Sequence, residues 1–392
     1  MENELGYYQV KDVKFTNKIQ AILHAQKSLD EITWNYHSDK FNQVKWNEEP
    51  LTDLDTLYRL RAQQIRSQYD YIIVMCSGGA DSTNVIKSFL NNDIAVDEII
   101  ASAPISGLKN WNWDNKDTSV NNTISETKYA LFPLLNDIAS NHPKIKISIN
   151  DYFEDIIKSK TDQWLYNCLD WINPVINVKG DLNKFTHIKD LAEQGKKIGI
   201  VWGLDKPILR YGTDGNIYSL ISDLAVNNAV PPFNESYTNV DRVLFYWSPD
   251  LPELMIKQSH VVAKFANLKE NHWILDAIKV LGKDNPLFVV PSAISNFNTK
   301  NDYQRGIVPA LYPTTFDPNT FQCQKAKGSF MPLQHNWFYT LHKDTSIFQL
   351  FDSDFKLFYK NINPKYLNPA KNGFKSYIQK YNIGPIASFM DK

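Results

Sequence analysis

Apolar runs alternate with helical spacings through the middle of the chain. The run Tyr71–Cys76 is continuous and rich in β-branched residues, which is typical of a strand buried on both faces. Apolar positions on one helical face follow it at Val85, Ile86, Phe89 and Leu90. Three later runs have strand character: Asp97–Ala103, Lys144–Ile149 and Lys196–Gly203. The alternation predicts right-handed βαβ crossovers and an α/β fold with a mainly parallel sheet.

The pattern changes on both sides of this region. Helical spacings at Asn17–Thr33 and Leu51–Ser67 predict a helical extension over residues 1–68. The pair Pro231-Pro232 marks a boundary between a main domain, residues 69–230, and a mixed, aromatic-rich C-terminal region, residues 231–392. We expect the C-terminal region to cover the edge of the sheet and to shape a pocket for a second substrate. Its candidate lining residues are Tyr303, Arg305 and Tyr312.

The composition narrows the class of protein. The chain has 392 residues, a net charge of −1 and 22% charged residues, so there is no strong signal for nucleic-acid binding. Its apolar runs are shorter than the ~18 residues of a membrane-spanning helix, and its first residues lack the apolar part of a signal peptide. Three widely spaced cysteines argue against a disulfide framework. We expect a cytoplasmic protein, and a homo-oligomer is compatible with the sequence.

A short polar segment joins the first apolar run to the first helix. It reads Ser77-Gly78-Gly79-Ala80-Asp81-Ser82. Glycines let the backbone turn tightly and approach a ligand, and free N–H groups at a helix N-terminus attract anions. Together with the hydroxyls of Ser77 and Ser82, they predict a phosphate cradle. The alternative is a serine- and glycine-rich connection that binds nothing.

The pattern Ser-Gly-Gly-x-Asp-Ser, placed between a strand and a helix, resembles the PP-loop of the ATP pyrophosphatases. These belong to the adenine nucleotide alpha-hydrolase-like superfamily, and the resemblance covers about residues 69–225. It implies a HUP-type doubly wound sheet, with ATP and Mg²⁺ as ligands. The implied nucleotide-binding residues of the loop are Ser77, Gly78, Gly79 and Ser82, which would bind phosphate, and Asp81, which would hold the metal. The adenine would lie against the backbone near Ala101 and Ser102.

Basic residues follow the fourth apolar run and come earlier on a helix. Lys206 and Arg210 lie just past the predicted strand end, where cations should meet the triphosphate, and we take them as candidate catalytic residues. The alternative for this segment is a surface ion pair made by Asp205. We expect Arg61, on the helix before the first run, to lie on a solvated face, with phosphate binding as the alternative.

The layout is most similar to the phosphoadenosine phosphosulfate reductase-like group of the superfamily. Reductases of that group use a cysteine near the C-terminus, and no cysteine follows Cys323 here. We therefore expect an enzyme that cleaves ATP to AMP and pyrophosphate. It would adenylate a small-molecule or nucleotide substrate ahead of ligase-like substitution. Sulfonucleotide binding or reduction stays open as one alternative, and nucleotide binding or sensing without catalysis as another.

Overall fold

The computed structural model describes residues 5–103, 105, 127–151, 155, 181–204, 207–223, 233, 237–271, 308–316, 357, 359–371 and 377–390. Its strands are β1 (Tyr7–Val10), β2 (Val13–Phe15), β3 (Thr33–Asn35), β4 (Tyr71–Cys76), β5 (Glu98–Ala103), β6 (Lys146–Asp151), β7 (Ile198–Trp202), β8 (Ile208–Tyr211), β9 (Asn216–Ser222), β10 (Val240–Leu244) and β11 (Ile378–Pro385). Its α-helices are α1 (Lys18–Ala25), α2 (Ser38–Phe41), α3 (Leu54–Gln68), α4 (Ala80–Leu90), α5 (Phe132–Asn141), α6 (Thr186–Glu193), α7 (Pro252–Asn267) and α8 (Pro364–Lys371).

The central sheet has five parallel strands in the order β10-β7-β4-β5-β6. The chain starts this sheet at β4, builds outward through β5 and β6, and then returns to add β7 and β10 on the other side. This order is compatible with a doubly wound, Rossmann-like fold, so the predicted α/β class with a mainly parallel sheet is confirmed. The winding reverses between β4 and β7, and ligands bind at such switch points in open α/β sheets.

The continuous apolar pattern of β4 reflects its burial on both faces. Ile72 and Val74 belong to one apolar cluster together with residues of α3 and α4. Ile73 and Met75 belong to the cluster on the other face, which includes Ile188 of α6. A strand covered by helices on both faces has no solvent-facing positions, and this is why β4 shows no alternation of polar and apolar residues.

The N-terminal region is mixed rather than purely helical. The strands β1, β2 and β3 form an antiparallel sheet in the order β2-β1-β3. The first helix ends at Ala25, whereas the sequence pattern extended it to Thr33. These strands have only three or four residues, which is too short for a periodic signal. Packing of aromatic side chains stabilises them, with the ring centroids of Tyr8 and Trp34 5.2 Å apart.

A third sheet joins distant parts of the chain. The dipeptide Asp214-Gly215, which is typical of tight hairpin turns, joins β8 and β9 in an antiparallel hairpin. The C-terminal strand β11 pairs with β9, and the order is β11-β9-β8. Because β10 completes the central sheet and β11 this one, the two strands described after residue 230 are integrated with the main domain. Among the described helices, none has the length and apolarity that crossing a membrane requires.

Candidate functional site

The Ser77–Ser82 loop lies at the switch point of the central sheet. It follows β4 directly, and β7 is the neighbouring strand on the side where the winding reverses. Gly203, just after β7, packs against the first turn of α4, since a Cβ there would be 3.0 Å from the Asp81 backbone oxygen. The first turn of α4, which continues the loop, is therefore in contact with the end of β7. Ligands in open α/β sheets bind beyond the carboxyl ends of the two strands at the switch point, which are β4 and β7 here.

The two glycines of the loop have different roles. Gly78 has a φ of +80°, and a Cβ there would lie 2.6 Å from the backbone nitrogen of Leu131. Its requirement for glycine thus follows from backbone conformation and from packing on Leu131, where we had expected close approach to a ligand. Gly79 is extended, with a φ of −70°, and forms the N-cap of α4 without a side-chain hydrogen bond. No side chain of the cap residue thus competes with an anion for the first-turn amides of α4.

The two serines hold the loop through weak internal hydrogen bonds. The Ser77 N–H donates to Ser82 Oγ over 3.3 Å, and the Gly79 N–H donates to Ser77 Oγ over 3.3 Å. The Ser82 hydroxyl donates to the Gly79 carbonyl over 3.1 Å. The two N–H···O distances exceed the usual range of about 2.7–3.2 Å, and the O–H···O distance exceeds about 3.0 Å. The hydroxyls keep the shape of the loop, and phosphate oxygens are stronger acceptors that could replace these contacts.

Asp81 is held by two tyrosines from the C-terminal part of the chain. The Tyr312 hydroxyl donates to Asp81 Oδ1 over 2.5 Å, and the Tyr246 hydroxyl donates to the Asp81 backbone oxygen over 2.8 Å. The two rings stack with centroids 6.0 Å apart. The sequence suggested Tyr312 only as a residue of the second-substrate pocket. A contact between residues 231 positions apart leaves no local signal in a single sequence.

A buried polar network extends from these tyrosines. Asn84 Nδ2 donates to the Tyr246 hydroxyl over 3.0 Å, and the Thr315 hydroxyl donates to Asn84 Oδ1 over 2.6 Å. Burial, with the charge of Asp81 as a further cause, raises the pKa values of Tyr246 and Tyr312 well above the usual value. Both phenols therefore stay neutral donors at physiological pH, and they orient Asp81 without adding charge.

The residues around Asp81 fit a magnesium ion that takes some of its ligands from the phosphates of a bound nucleotide. Within the described residues, no group of three or more His, Cys, Asp or Glu side chains is placed to hold a metal. Mg²⁺ usually keeps several waters and binds through one or two carboxylates together with substrate phosphates. Asp81, oriented by Tyr312, could supply that one carboxylate beside the loop.

The other predicted site residues are placed as follows. Ala101 and Ser102 are buried in β5, where Ala101 is opposite Cys76 in the register with β4, so both share the sheet edge with the loop. Arg210 lies in β8 opposite Tyr218, and its Nε is buried without an acceptor in the described part of the chain. Within that part, no hydrogen bond or ion pair joins Arg210 to the loop. Asp205, Lys206, Tyr303 and Arg305 lie outside the described residues.

Arg61 is buried, which overturns the expected solvated position. Its Nε donates to the Phe245 carbonyl over 3.2 Å and its Nη2 to the Leu244 carbonyl over 3.1 Å, while Nη1 donates to Gln64 Oε1 over 2.7 Å. Burial lowers its pKa to about 10. Arg61 therefore anchors the end of β10, and its donors are used for that purpose instead of for a phosphate.

A polar cavity of about 430 Å³ lies beside the network. It is formed by α3, α4 and the segment 308–316, and Asn84 and Thr315 belong both to its lining and to the network around Asp81. Arg59 and Lys87 bring positive charge to the lining and Asp55 brings negative charge.

Comparisons of the chain with models of known protein families, with curated proteins and with solved structures found no match. A functional proposal for this protein therefore depends on the loop, its place in the sheet and the groups around Asp81.

Proposed function

We propose that the protein is an ATP-binding enzyme of the PP-loop type, with a HUP-like nucleotide-binding domain. It would cleave ATP, release pyrophosphate and transfer AMP to a small-molecule or nucleotide substrate. In a ligase-like substitution, an amine or amide nucleophile would then displace AMP from that substrate. One observation carries the proposal. The Ser-Gly-Gly-x-Asp-Ser loop lies at the switch point between β4 and β7, at the N-terminus of α4.

The loop geometry supports phosphate binding. The N-terminus of a helix of eleven residues carries a partial positive charge and free amides, and both favour an anion. In the proposed reaction, an oxygen of the acceptor attacks the α-phosphorus. The bond from that phosphorus to the bridging oxygen breaks, and its electron pair leaves with pyrophosphate. Preorganised amides and hydroxyls at Ser77–Ser82 would stabilise the charge that develops on this leaving group.

Asp81 would hold Mg²⁺, with Tyr312 fixing the direction of its carboxylate. The metal supplies neutralisation of phosphate charge when it is bound. Lys206 and Arg210 belong to the proposal as cations for the triphosphate, and Ala101 and Ser102 as the backbone that faces the adenine.

The test uses two substitutions in the loop. Gly79 is extended, so Gly79→Val introduces no unfavourable φ and should leave the fold intact while the new side chain excludes the phosphates. We expect ATP binding to be abolished in this variant and weakened less in Gly79→Ala. Asp81→Asn should keep much of the nucleotide affinity and lose magnesium-dependent turnover. Calorimetric titration of ATP with and without magnesium measures both effects. ATP binding to Gly79→Val as tight as to the parent would refute the phosphate site.

Product analysis separates the three functions. ATP–pyrophosphate exchange in the presence of a pool of small metabolites supports adenylation. Release of sulfite from a sulfonucleotide supports the reductase-like alternative. Saturable ATP binding with neither product supports a nucleotide sensor.

A further inference from the structure

Arg242 presents buried donors that nothing in the described part of the chain satisfies. Its Nε, Nη1 and Nη2 are all closed to solvent and have no hydrogen-bond acceptor among the described residues. The residue as a whole keeps some exposed surface. Most buried polar groups in proteins are hydrogen-bonded, and a buried charge without a partner is especially unfavourable. The arrangement therefore needs an explanation.

A second unsatisfied donor lies beside it. In the parallel register, Arg242 is opposite Ile200 and Leu244 is opposite Trp202, so Arg242 and Trp202 are on the same face of the sheet. Arg242 Cζ is 6.0 Å from the centroid of the Trp202 ring. Trp202 Nε1 is also buried without an acceptor in the described residues. The ring face can attract the cation, but it cannot satisfy five N–H donors.

The negative charge of Asp181 acts on Arg242 but does not satisfy its guanidinium. Burial lowers the pKa of Arg242 to about 9, and the charge of Asp181 acts in the opposite direction. The Asp181 carboxylate accepts bonds from Asn183, from its backbone N–H over 2.8 Å and from its Nδ2 over 2.6 Å. Asp181 forms no ion pair with Arg242. Its charge is near enough to act on Arg242 and too far to bond to it.

The two donors are close to the switch point. Trp202 ends β7 and is opposite Met75 of β4, two residues before Ser77. Gly203 follows Trp202 and packs on the Asp81 backbone. Ile200 belongs to the apolar cluster of α6, whereas α4 contributes to the other cluster. Arg242 and Trp202 thus lie on the β7–β10 side of the switch point between β4 and β7. They are on the face of the sheet opposite α4.

We propose that Arg242 and Trp202 form a binding site for an oxyanion, namely the carboxylate, phosphate or sulfate group of a small ligand. Guanidinium and indole N–H groups donate and do not accept, so they complement a group that only accepts. The planar guanidinium also matches two oxygens of a carboxylate or phosphate at once. This pairing would compensate for the unsatisfied donors.

The site also points to a class of acceptor. If ATP binds at the β4–β7 crevice, the oxyanion on Arg242 belongs to the second substrate, which is then an acidic molecule. That assignment depends on the proposed function, whereas the oxyanion site does not. The tests below contain no nucleotide. Parent and variants all carry Gly79→Val, which blocks anion binding at the Ser77–Ser82 loop, so the outcome of the tests is independent of ATP binding.

The first experiment follows thermal unfolding of the full chain at constant ionic strength, with sodium chloride replaced stepwise by sulfate, phosphate or malonate. Binding to the folded state should raise the Tm with a saturable dependence on concentration. We expect half-saturation to need at least tenfold more anion in Arg242→Gln. Arg66→Gln is the matched control, because Arg66 is already paired with Asp97 over 2.7 Å. The Tm of Arg66→Gln should respond to each anion as the Tm of the parent does. Its response also contains the general stabilising effect of sulfate on folded proteins, so the control accounts for that effect.

The choice of anion identifies the ligand group. A stronger response to malonate indicates a carboxylate ligand, and a stronger response to sulfate or phosphate indicates a sulfuryl or phosphoryl ligand. An equal response of the parent and Arg242→Gln to every anion, or no saturable response in the parent, would overturn the proposal.

The second experiment does not depend on folding of an Arg242 variant. In protein labelled with ¹⁵N-tryptophan, the indole N–H resonance of Trp202 is the one that disappears in Trp202→Phe. We expect it to shift on titration with the anion that stabilises the parent, since Nε1 gains an acceptor. A Trp202 resonance that stays in place through saturation would contradict the two-donor site.

Discussion

Two buried basic side chains have opposite surroundings. Lys18, in α1, forms an ion pair with Asp223 over 2.9 Å, both side chains are fully buried, and the Tyr8 hydroxyl donates to the same carboxylate over 3.0 Å. Arg242, in β10, has buried nitrogens without an acceptor among the described residues. Both charges are removed from water, but among the described residues only Lys18 has a charged partner.

Arg61 is an intermediate case. Its partners are two backbone carbonyls and a glutamine, which are neutral acceptors. Burial lowers the pKa of Arg61 to about 10 and that of Arg242 to about 9. Among the described residues, the pairing of the buried cation thus weakens in the order Lys18, Arg61, Arg242. Lys18 and Arg61 find partners within the chain, and removing them would leave buried groups unpaired. Arg242 has no acceptor among the described residues, which is why we propose it as a binding residue.

The largest effect is expected when the satisfied pair is broken. Lys18→Met leaves Asp223 buried without its cation and should lower the free energy of unfolding by about 3–5 kcal/mol. Urea denaturation measures this change. Lys45→Met is the control, because Lys45 pairs with Glu48 at the exposed surface and its loss should leave stability unchanged. Equal stability of the parent and Lys18→Met would show that the buried pair contributes nothing.

The next effect concerns the neutral acceptors. Arg61→Met removes the donors to the Leu244 and Phe245 carbonyls, and unsatisfied buried carbonyls should lower the free energy of unfolding by about 1–3 kcal/mol. Arg59→Met, two residues earlier on the exposed side of the same helix, is the matched control. If the two variants were equally stable, Arg61 would be no anchor of β10.

Alkaline pH tests the neutral donor beside Asp81. The pKa of Tyr312 is raised in the folded state, so above pH ~10 the unfolded chain loses this proton while the folded chain keeps it. The contribution of Tyr312 to the free energy of unfolding should therefore be fully present below pH ~10. Above that pH it should fall by up to about 1.4 kcal/mol per pH unit. In urea denaturation at pH 10 to 11, the slope of Tyr312→Phe should be smaller than that of the parent by up to this amount. Identical slopes would mean that Tyr312 ionises freely.

The smallest effect on stability is expected at the unsatisfied cation. In the absence of binding anions, Arg242→Met should cause no loss, or a gain on the order of 1 kcal/mol, because an unpaired charge leaves the interior. Denaturation in chloride buffer measures it. A loss of more than about 2 kcal/mol would place Arg242 with Lys18 and Arg61 as a structural residue.

Much of the central sheet was predictable from the sequence. The apolar run of β4 and the helical face of α4 are local patterns, and local patterns specify local structure. The N-terminal sheet was missed because its strands are too short to show a period. The buried position of Arg61 was missed because one arginine on a polar helix face is usually solvated, and only the end of β10 supplies its acceptors.

The sequence by itself determined the strand, the glycine-containing turn and the following helix, because these depend on side-chain period and backbone freedom within about twenty residues. Only the tertiary structure decided that Tyr312 reaches Asp81 across 231 positions, that Gly78 packs on Leu131, and that Arg242 and Trp202 meet beside the switch point. Each of these contacts depends on the order of strands in the sheet. That order results from burying apolar surface on both faces at once, and no stretch of the chain contains it alone.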